Sequence, residues 1–235
     1  MRRVLQKCVG TPVRAAGLAG LALCVLSGSA LGVQVQGVVV ADFAQAGGQI
    51  PGEWELSENK GKADLALVPD GDGEALRLRS RSSSYSLQKS VEIDLKRTPY
   101  LVWQWKVTEL PKGGDFRNGG TDDQAAQLLV VFNWGVFRKE AITYIWDSTA
   151  PQGMTGKAPT PAVQPFLTMH AVVVRSGARK KGRWITETRN VAEDYRKLFG
   201  REPEKVIGVR IQINSQHTAS QAESYWRSVV FTAAP

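Results

Sequence analysis

Two tryptophans stand where predicted strands give way to loops. Trp134 follows Asn133 and precedes a glycine, and Trp146 is followed by Asp147 and a proline-rich stretch. An exposed indole ring offers a large apolar face that can stack on a sugar ring, while neighbouring amide and carboxylate groups bind its hydroxyl groups. Binding residues favour loop ends on a rigid scaffold. We therefore predict a ligand-binding platform of Trp134 and Trp146, with Asn133 and Asp147 as polar partners.

A pair of adjacent carboxylates is the second candidate. Asp122 and Asp123 follow a glycine-rich loop and lead into a predicted core strand. Carboxylate oxygens at a strand mouth can bind sugar hydroxyl groups or a hard cation such as calcium. We add both aspartates to the predicted ligand-binding set, with calcium as a candidate ion and no other cofactor.

Known catalytic signatures are absent from the sequence. It contains no His-Glu-x-x-His, Gly-x-Ser-x-Gly, phosphate-loop or dinucleotide-binding pattern. The segment from Glu92 to Lys96 begins like the carboxylate strand of sandwich glycosidases, but Lys96 stands where the last carboxylate belongs. We predict no catalytic residues. Two alternatives to ligand binding remain: a divergent glycan hydrolase or lyase, and a non-catalytic interaction protein of the cell envelope.

The first 32 residues have the pattern of an export signal. Four basic residues and no acid precede or enter an apolar stretch at residues 15–26, and small residues follow up to Ala30. This order is typical of a signal peptide, and the apolar stretch is shorter than the roughly 20 residues that span a membrane. We predict a signal peptide over residues 1–32, a periplasmic or secreted protein, and no transmembrane segment after signal removal.

Cysteine placement and charge limit the function further. Both cysteines, Cys8 and Cys24, lie in the predicted signal peptide. The mature chain is then cysteine-free, without disulfides, a thiolate nucleophile or cysteine-ligated metal. The net charge of +8 falls to +4, from 26 basic and 22 acidic side chains, once the leader is removed. So small a charge gives little support for nucleic-acid binding, and we predict no nucleic-acid partner. We also predict a monomer.

Short alternating segments between glycine, proline, aspartate and serine turns dominate residues 33–235. In the clearest of them, Tyr100 to Thr108, every second residue is apolar, which predicts one buried strand face. The segments His170 to Arg175 and Arg183 to Arg189 are interpreted as a hairpin around a basic tip. Many short strands with few helices are typical of sandwiches and barrels.

One segment alone has helical features. Asn190 is a good N-cap, Glu193 completes a capping box, and Gly200 ends the pattern. We therefore predict an all-β fold, an antiparallel β-sandwich of jelly-roll type with one short helix near residues 191–199. Residues 33–235 are predicted to form a single β-sandwich domain.

Several motifs in order resemble those of a known family. The run from Arg189 to Gly200, together with Asp42-Phe43, the strand from Leu101 to Val107 and the pair Asp122-Asp123, resembles the bacterial domain of unknown function 3047 family. The resemblance covers essentially the whole mature chain. It implies an exported, single-domain β protein and no particular activity. At the level of the fold, such chains are similar to sandwich carbohydrate-binding modules.

The chain departs from that family pattern in two places. Gln127 stands where the resemblance leads us to expect an arginine, and residues Asn214 to His217 replace an acidic stretch. If these charged groups form a site in relatives, this member has a weaker or altered one. The joint loss of a base and an acid also fits a dispensable ion pair. The sequence as a whole predicts an exported sandwich that binds a carbohydrate or cell-envelope glycan.

Overall fold

The computed structural model describes residues 37–134, 138–159 and 166–235, and the side chain of Trp134 lies outside this description. The predicted signal peptide at residues 1–32 also lies outside it. Within the described ranges the chain forms thirteen strands, a short 3-10 turn at Phe43–Gln45 and one α-helix, α1 (Val191–Phe199). The strands are β1 (Gly37–Asp42), β2 (Glu55–Lys60), β3 (Asp64–Asp70), β4 (Gly73–Arg81), β5 (Ser84–Ile93), β6 (Tyr100–Glu109), β7 (Ala126–Trp134), β8 (Arg138–Asp147), β9 (Thr155–Lys157), β10 (Leu167–Ser176), β11 (Ile185–Asn190), β12 (Val206–Asn214) and β13 (Gln221–Thr232).

The strands form two sheets that pack face to face. The six-stranded sheet has the order β11-β6-β13-β4-β3, with β1 also paired to β13, and the seven-stranded sheet has the order β2-β5-β12-β7-β8-β10-β9. This architecture confirms the predicted β-sandwich of jelly-roll type. One feature differs from the antiparallel prediction, because β8 and β10 pair in parallel. The long connection between them contains β9, which returns to pair antiparallel with β10.

Alternation along the strands builds the core between the sheets. On β6, Leu101, Trp103, Trp105 and Val107 are all fully buried, as their spacing predicts. Trp103 contacts Tyr144 of the opposite sheet with ring centroids 5.4 Å apart, and Trp105 contacts Trp146 at 5.9 Å. Aromatic pairs at these separations add to the free energy gained by burying their area.

Helix α1 begins and ends as the sequence predicts. The Asn190 side chain accepts a hydrogen bond from the Glu193 backbone N–H at 3.1 Å. Gly200 has a φ of 73°, a left-handed conformation that glycine adopts without steric cost. The buried side of the helix includes Val191 and Tyr195. In the described ranges, no helix combines the length and the apolar character that a membrane crossing requires.

The predicted hairpin of residues 170–175 and 183–189 is wrong. β10 belongs to the seven-stranded sheet and β11 to the six-stranded sheet, so the exposed basic segment between them crosses from one sheet to the other. Arg175 does not lie at a solvated tip, since its guanidinium donates to both carboxylate oxygens of Glu187 at 2.6 and 2.8 Å. Strand alternation indicates which face is buried but not which strand is the neighbour.

A buried carboxylate fixes α1 against the sheets. Asp194 accepts hydrogen bonds from Arg189 Nε at 2.9 Å and Nη2 at 2.5 Å, and from the Tyr144 hydroxyl at 2.9 Å. Its side chain is only 8% exposed. Asp194 therefore links the helix to β11 through Arg189 and to β8 through Tyr144.

Replacing Asp194 with alanine would leave the Tyr144 hydroxyl and the Arg189 guanidinium without their carboxylate. Such a loss costs roughly 2–4 kcal/mol, and we expect D194A to lower the free energy of unfolding by that amount. Glu193→Ala, one residue away, removes an exposed pair with Lys197 and should cost less than about 1 kcal/mol. Urea denaturation measures both values, and equal losses would contradict the role given to Asp194.

Candidate functional site

The candidate site lies on the face of the seven-stranded sheet that points away from the other sheet. On β7, Leu128 and Val130 face the main core, so Gln127 and Leu129 lie on the opposite, outer face. On β12, alternate residues likewise place Arg210 outward. A cleft of about 400 Å³ opens on this outer face.

The cleft has a polar and an apolar part. Six amide side chains line it from β2, β7, β12 and the adjoining loops: Asn59, Gln124, Gln127, Gln212, Asn214 and Gln216. The apolar part consists of Phe116, Leu129, Ile145, Met169 and Ala171. These apolar residues belong to a second hydrophobic cluster, separate from the core between the sheets. The same surface therefore presents hydrogen-bonding groups beside a hydrophobic patch, as ligand pockets commonly do.

Asn214 organises the polar part. Its Oδ1 accepts hydrogen bonds from Gln127 Nε2 at 2.6 Å and from the Gln124 backbone N–H at 2.9 Å, while its Nδ2 donates to the Asp122 carbonyl at 2.6 Å. Gln127 and Asn214, two positions at which the resemblance led us to expect charged residues, are thus in direct contact. They form a hydrogen-bonded pair of neutral amides.

Three buried polar atoms on this face have no hydrogen-bond partner within the described part of the chain. They are Ser86 Oγ, Thr143 Oγ1 and Gln216 Oε1. Ser86 is 1% exposed and Thr143 is 2% exposed. A buried polar group without a partner costs about 1–3 kcal/mol. Thr143 and Gln216 line the cleft, so a ligand that supplies their missing partners would recover part of that free energy on binding.

Asp122 lines the cleft and is the predicted site residue that the structure places there. Its Oδ1 accepts a hydrogen bond from Gln124 Nε2 at 3.0 Å. The pKa of Asp122 is raised to about 7, mainly by burial; the hydrogen bond from Gln124 lowers it in part, and the nearby charges of Asp123 and Asp147 contribute to the rise. This carboxyl group therefore changes its charge near neutral pH.

Arg210 is a partly buried cation in the same cleft. Its Nε and Nη2 both donate to Gln88 Oε1, at 3.1 and 2.6 Å. Burial lowers the pKa of Arg210 from its ordinary value. No ion pair joins it to a carboxylate of the described residues, whereas the guanidinium groups of Arg79, Arg175 and Arg189 each have one.

Asp123 supports the cleft wall instead of facing a ligand. It is fully buried, and its carboxylate accepts from the backbone N–H groups of His217 and Thr218, at 3.2 and 2.7 Å, and from Thr218 Oγ1 at 2.8 Å. The glycine-rich loop packs on the same residue, since a Cβ on Gly114 would lie 2.2 Å from the Asp123 carbonyl oxygen. The prediction that Asp123 faces the ligand is wrong.

Asp147 has an equivalent role on the other side. It is fully buried, and it accepts from the backbone N–H groups of Phe116, Thr149 and Ala150 at 3.0, 2.9 and 2.8 Å. Burial raises the pKa of Asp147, and these hydrogen bonds lower it in part. The prediction that Asp147 contacts the ligand is therefore wrong, because its oxygens hold the loop that carries Phe116.

The predicted tryptophan platform is absent from the cleft among the side chains that the structure describes. Trp146 is fully buried between the sheets, where Nε1 donates to the Gly177 carbonyl at 3.0 Å. Trp146 is buried because every second residue of β8 faces the core, and Ile142, Tyr144 and Trp146 share that face. The prediction of an exposed Trp146 is wrong, and that for the Trp134 side chain lies outside the described residues. Asn133 is exposed at the end of β7 but does not line the cleft.

Among the described residues no group of three histidine, cysteine or acidic side chains is placed to hold a metal ion. The calcium hypothesis rested on Asp122 and Asp123, and the carboxylate of Asp123 is occupied by the three hydrogen bonds above. The structure therefore offers calcium no such cluster in the described part of the chain.

Sequence reasoning missed Arg210, Thr143 and Ser86. A signal existed on β12, where Arg210 and Gln212 interrupt a run of inward-facing valine and isoleucine residues. On β8, Thr143 alternates with core aromatic residues in the same way. Alternation could have found both outer-face positions, but not that they lie in one row across β12, β7 and β8.

A second concavity of about 350 Å³ lies between α1 and the segment that follows β5. Charged side chains dominate it, and two of them, Arg196 and Glu202, pair with each other at 2.8 Å. None of the unpartnered buried side-chain atoms in the described ranges lines it. The cleft on the seven-stranded sheet is therefore the better candidate site.

The fold and the cleft together define a β-sandwich with a ligand-sized depression on one sheet. The chain belongs to the family described as "Protein of unknown function (DUF3047)", whose model matches residues 52–230. No curated protein matches the chain.

Solved structures with a similar arrangement include two carbohydrate-binding modules from Clostridium thermocellum. The family 30 module of a cellulosomal cellulase has 10% identity and a TM-score of 0.48, covering 86% of this chain and 100% of its own. The family 11 module has 10% identity and a TM-score of 0.45, covering 84% and 94%. The xyloglucanase domain of a type three effector from Sinorhizobium fredii has 8% identity and a TM-score of 0.45, covering 82% and 100%. Likeness at this level gives no information about the ligand of this chain.

The raised pKa of Asp122 predicts a pH-dependent stability. Between about pH 4 and pH 7 the folded state holds a proton that the unfolded state has released, so this group makes stability fall as the pH rises. We expect Asp122→Asn to stabilise the fold at about pH 8, with a gain that shrinks towards about pH 4. Asp72→Asn, in an exposed turn, is the control. Urea denaturation at both pH values tests this, and an equal effect of D122N at each would contradict it.

Proposed function

We propose that this protein binds a saccharide in the cleft on the outer face of the seven-stranded sheet. The observation that carries the proposal is the set of neutral hydrogen-bonding groups in the cleft, of which Thr143 and Gln216 have buried atoms without partners in the described residues. A volume of about 400 Å³ lies within the usual range for small-molecule sites.

The chemistry of the polar part fits a polyhydroxylated ligand. Amide side chains both donate and accept, and so do sugar hydroxyl groups. Gln127 and Gln124 are oriented by Asn214 and Asp122, so they are held in place before a ligand arrives. Such preorganisation reduces the conformational entropy lost on binding.

The apolar part provides a surface for the C–H faces of the sugar rings. Leu129, Ile145 and Ala171 are almost fully buried at its floor, and Phe116 closes one side. Because the second hydrophobic cluster supports these side chains from below, the floor is packed like a protein interior. A ligand with alternating polar edges and apolar faces would contact both parts at once.

A hydrolase or lyase is the second candidate, because a carboxyl group with a pKa of about 7 is suited to acid–base catalysis near neutral pH. Two-carboxylate glycoside hydrolysis needs a second carboxyl group across the scissile bond. Asp122 is the single carboxyl group among the described residues that line the cleft. The geometry therefore favours binding over hydrolysis.

Export to the periplasm or the medium belongs to the same proposal and rests on the leader pattern of residues 1–32. A saccharide of the cell envelope or of the surroundings would be available there. We also propose that the protein acts as a monomer, because a cleft within one sheet needs no second chain.

Thr143→Val separates ligand binding from folding. The substitution keeps the shape of the side chain and removes a hydroxyl group that has no partner in the described residues, so stability should stay the same or rise. The affinity for a bound saccharide should fall about 5-fold, as expected for the loss of one hydrogen bond. Thr188→Val, at an exposed position of the other sheet, is the matched control.

A glycan array probed with the full chain identifies the saccharide, and titration calorimetry then compares the variants. A parallel array with EDTA tests whether calcium takes part. Binding to one class of glycan that T143V weakens and T188V does not would support the proposal. Failure of every glycan in both conditions, or equal affinities of the two variants, would contradict it. Release of smaller products would favour the enzyme.

A further inference from the structure

Arg210 stands near the middle of the outer face. On β12 it lies opposite Gln88 of β5 on one side and Leu129 of β7 on the other. Leu129 in turn lies opposite Thr143 of β8. Since directly opposed residues of neighbouring strands point to the same face, these four side chains form one row across the sheet.

The adjacent row supplies a second unpartnered hydroxyl group. Ser86 of β5 lies opposite Gln212 of β12, two residues from Gln88 and Arg210 respectively. Ser86 therefore lies diagonally beside Arg210 on the neighbouring strand β5, and Thr143 lies two strands away on β8. Both hydroxyl oxygens are buried and have no partner in the described residues.

The charge of Arg210 is uncompensated in the described part of the chain. Its hydrogen bonds go to one neutral oxygen, Gln88 Oε1. Glu55 lies opposite Gln88 on the edge strand β2, but it is exposed and forms no ion pair with Arg210. The Asp122 carbonyl oxygen accepts from Asn214, whose Cα atom is about 13 Å from that of Arg210 at the rise of a strand.

A partly buried cation without a counter-charge is costly to the folded protein. An arginine stays protonated at every physiological pH, so Arg210 cannot avoid this cost by losing its charge. A bound anion would remove it, and guanidinium groups bind planar carboxylates and tetrahedral oxyanions with paired hydrogen bonds.

We propose that the saccharide bound in the cleft is acidic, and that its carboxylate or its sulfate or phosphate ester group binds to Arg210. This inference rests on the proposed function and adds the class of ligand. The guanidinium pairs with the anion, and the Thr143 hydroxyl group, which lines the cleft in the same row of residues, donates to an oxygen of the saccharide. The amide groups beside Asn214 then bind a neutral part of the chain.

The test uses titration calorimetry to compare the affinities of the full-length protein for matched acidic and neutral saccharides. Oligogalacturonate, a sulfated galactan oligosaccharide and neutral oligogalactose share the same sugar skeleton and differ in charge. We expect at least about 10-fold tighter binding of one acidic series, as a charge-assisted pair supplies, and a loss of this preference at high salt. The two acidic series distinguish a carboxylate from an ester.

Arg210→Gln should abolish the preference for acidic saccharides, so that the variant binds the acidic and the neutral saccharide with affinities within about 2-fold of each other. It should fold normally, because it removes an unpaired charge from a partly buried place. Arg210→Lys keeps the charge and should retain part of the preference. Arg81→Gln, at an exposed position on the six-stranded sheet, is the control and should change nothing.

The outcomes separate the two proposals. Equal binding of neutral and acidic saccharides, or an acidic preference that R210Q retains, would overturn the acidic ligand and leave saccharide binding in place. If none of these saccharides nor any array glycan binds, both proposals fail together. If R210Q does not fold, the comparison of R210K with wild type and the salt dependence decide the matter.

Discussion

The aromatic contact between the two sheets determines the geometry of the rest of the molecule. Trp103 and Trp105 of β6 pack on Tyr144 and Trp146 of β8. Because strand residues alternate between faces, these contacts fix the register of β8 and turn Thr143 towards the outer face. A shift of one residue would place a tryptophan in the cleft and a threonine in the core. The candidate site is thus a consequence of how the core is packed.

Buried carboxylates then shape the rim of the cleft. Asp123 holds the segment at His217 and Thr218, and Asp147 holds the loop that carries Phe116. Each carboxylate accepts three hydrogen bonds from loop groups, most of them backbone N–H, which compensates for the removal of its charge from water. Residues that resemble ligand-binding groups in the sequence serve here to fix the loops around a site built from amides and hydroxyl groups.

Local patterns in the sequence predict the fold better than the site. The alternation around Trp103 and the caps at Asn190 and Gly200 depend on residues close in sequence, and the structure confirms all of them. The pairing of β10 with β8 and of β11 with β6 depends on contacts distant in sequence, and the predicted hairpin there is wrong. Trp146 shows the same limit. Its position at a strand end suggests exposure, but the alternation of β8 places its side chain on the core face.

The site itself depends on strand order, which the sequence does not show. Gln127 and Asn214 are 87 residues apart and form one hydrogen bond, and Arg210 meets Gln88 only because β12 lies between β5 and β7. These pairs give the cleft a neutral end at Asn214 and a cationic one at Arg210. Both ends lie on β12, four residues apart. The proposed acidic saccharide would therefore place its charged group towards Arg210 and its neutral part towards Asn214.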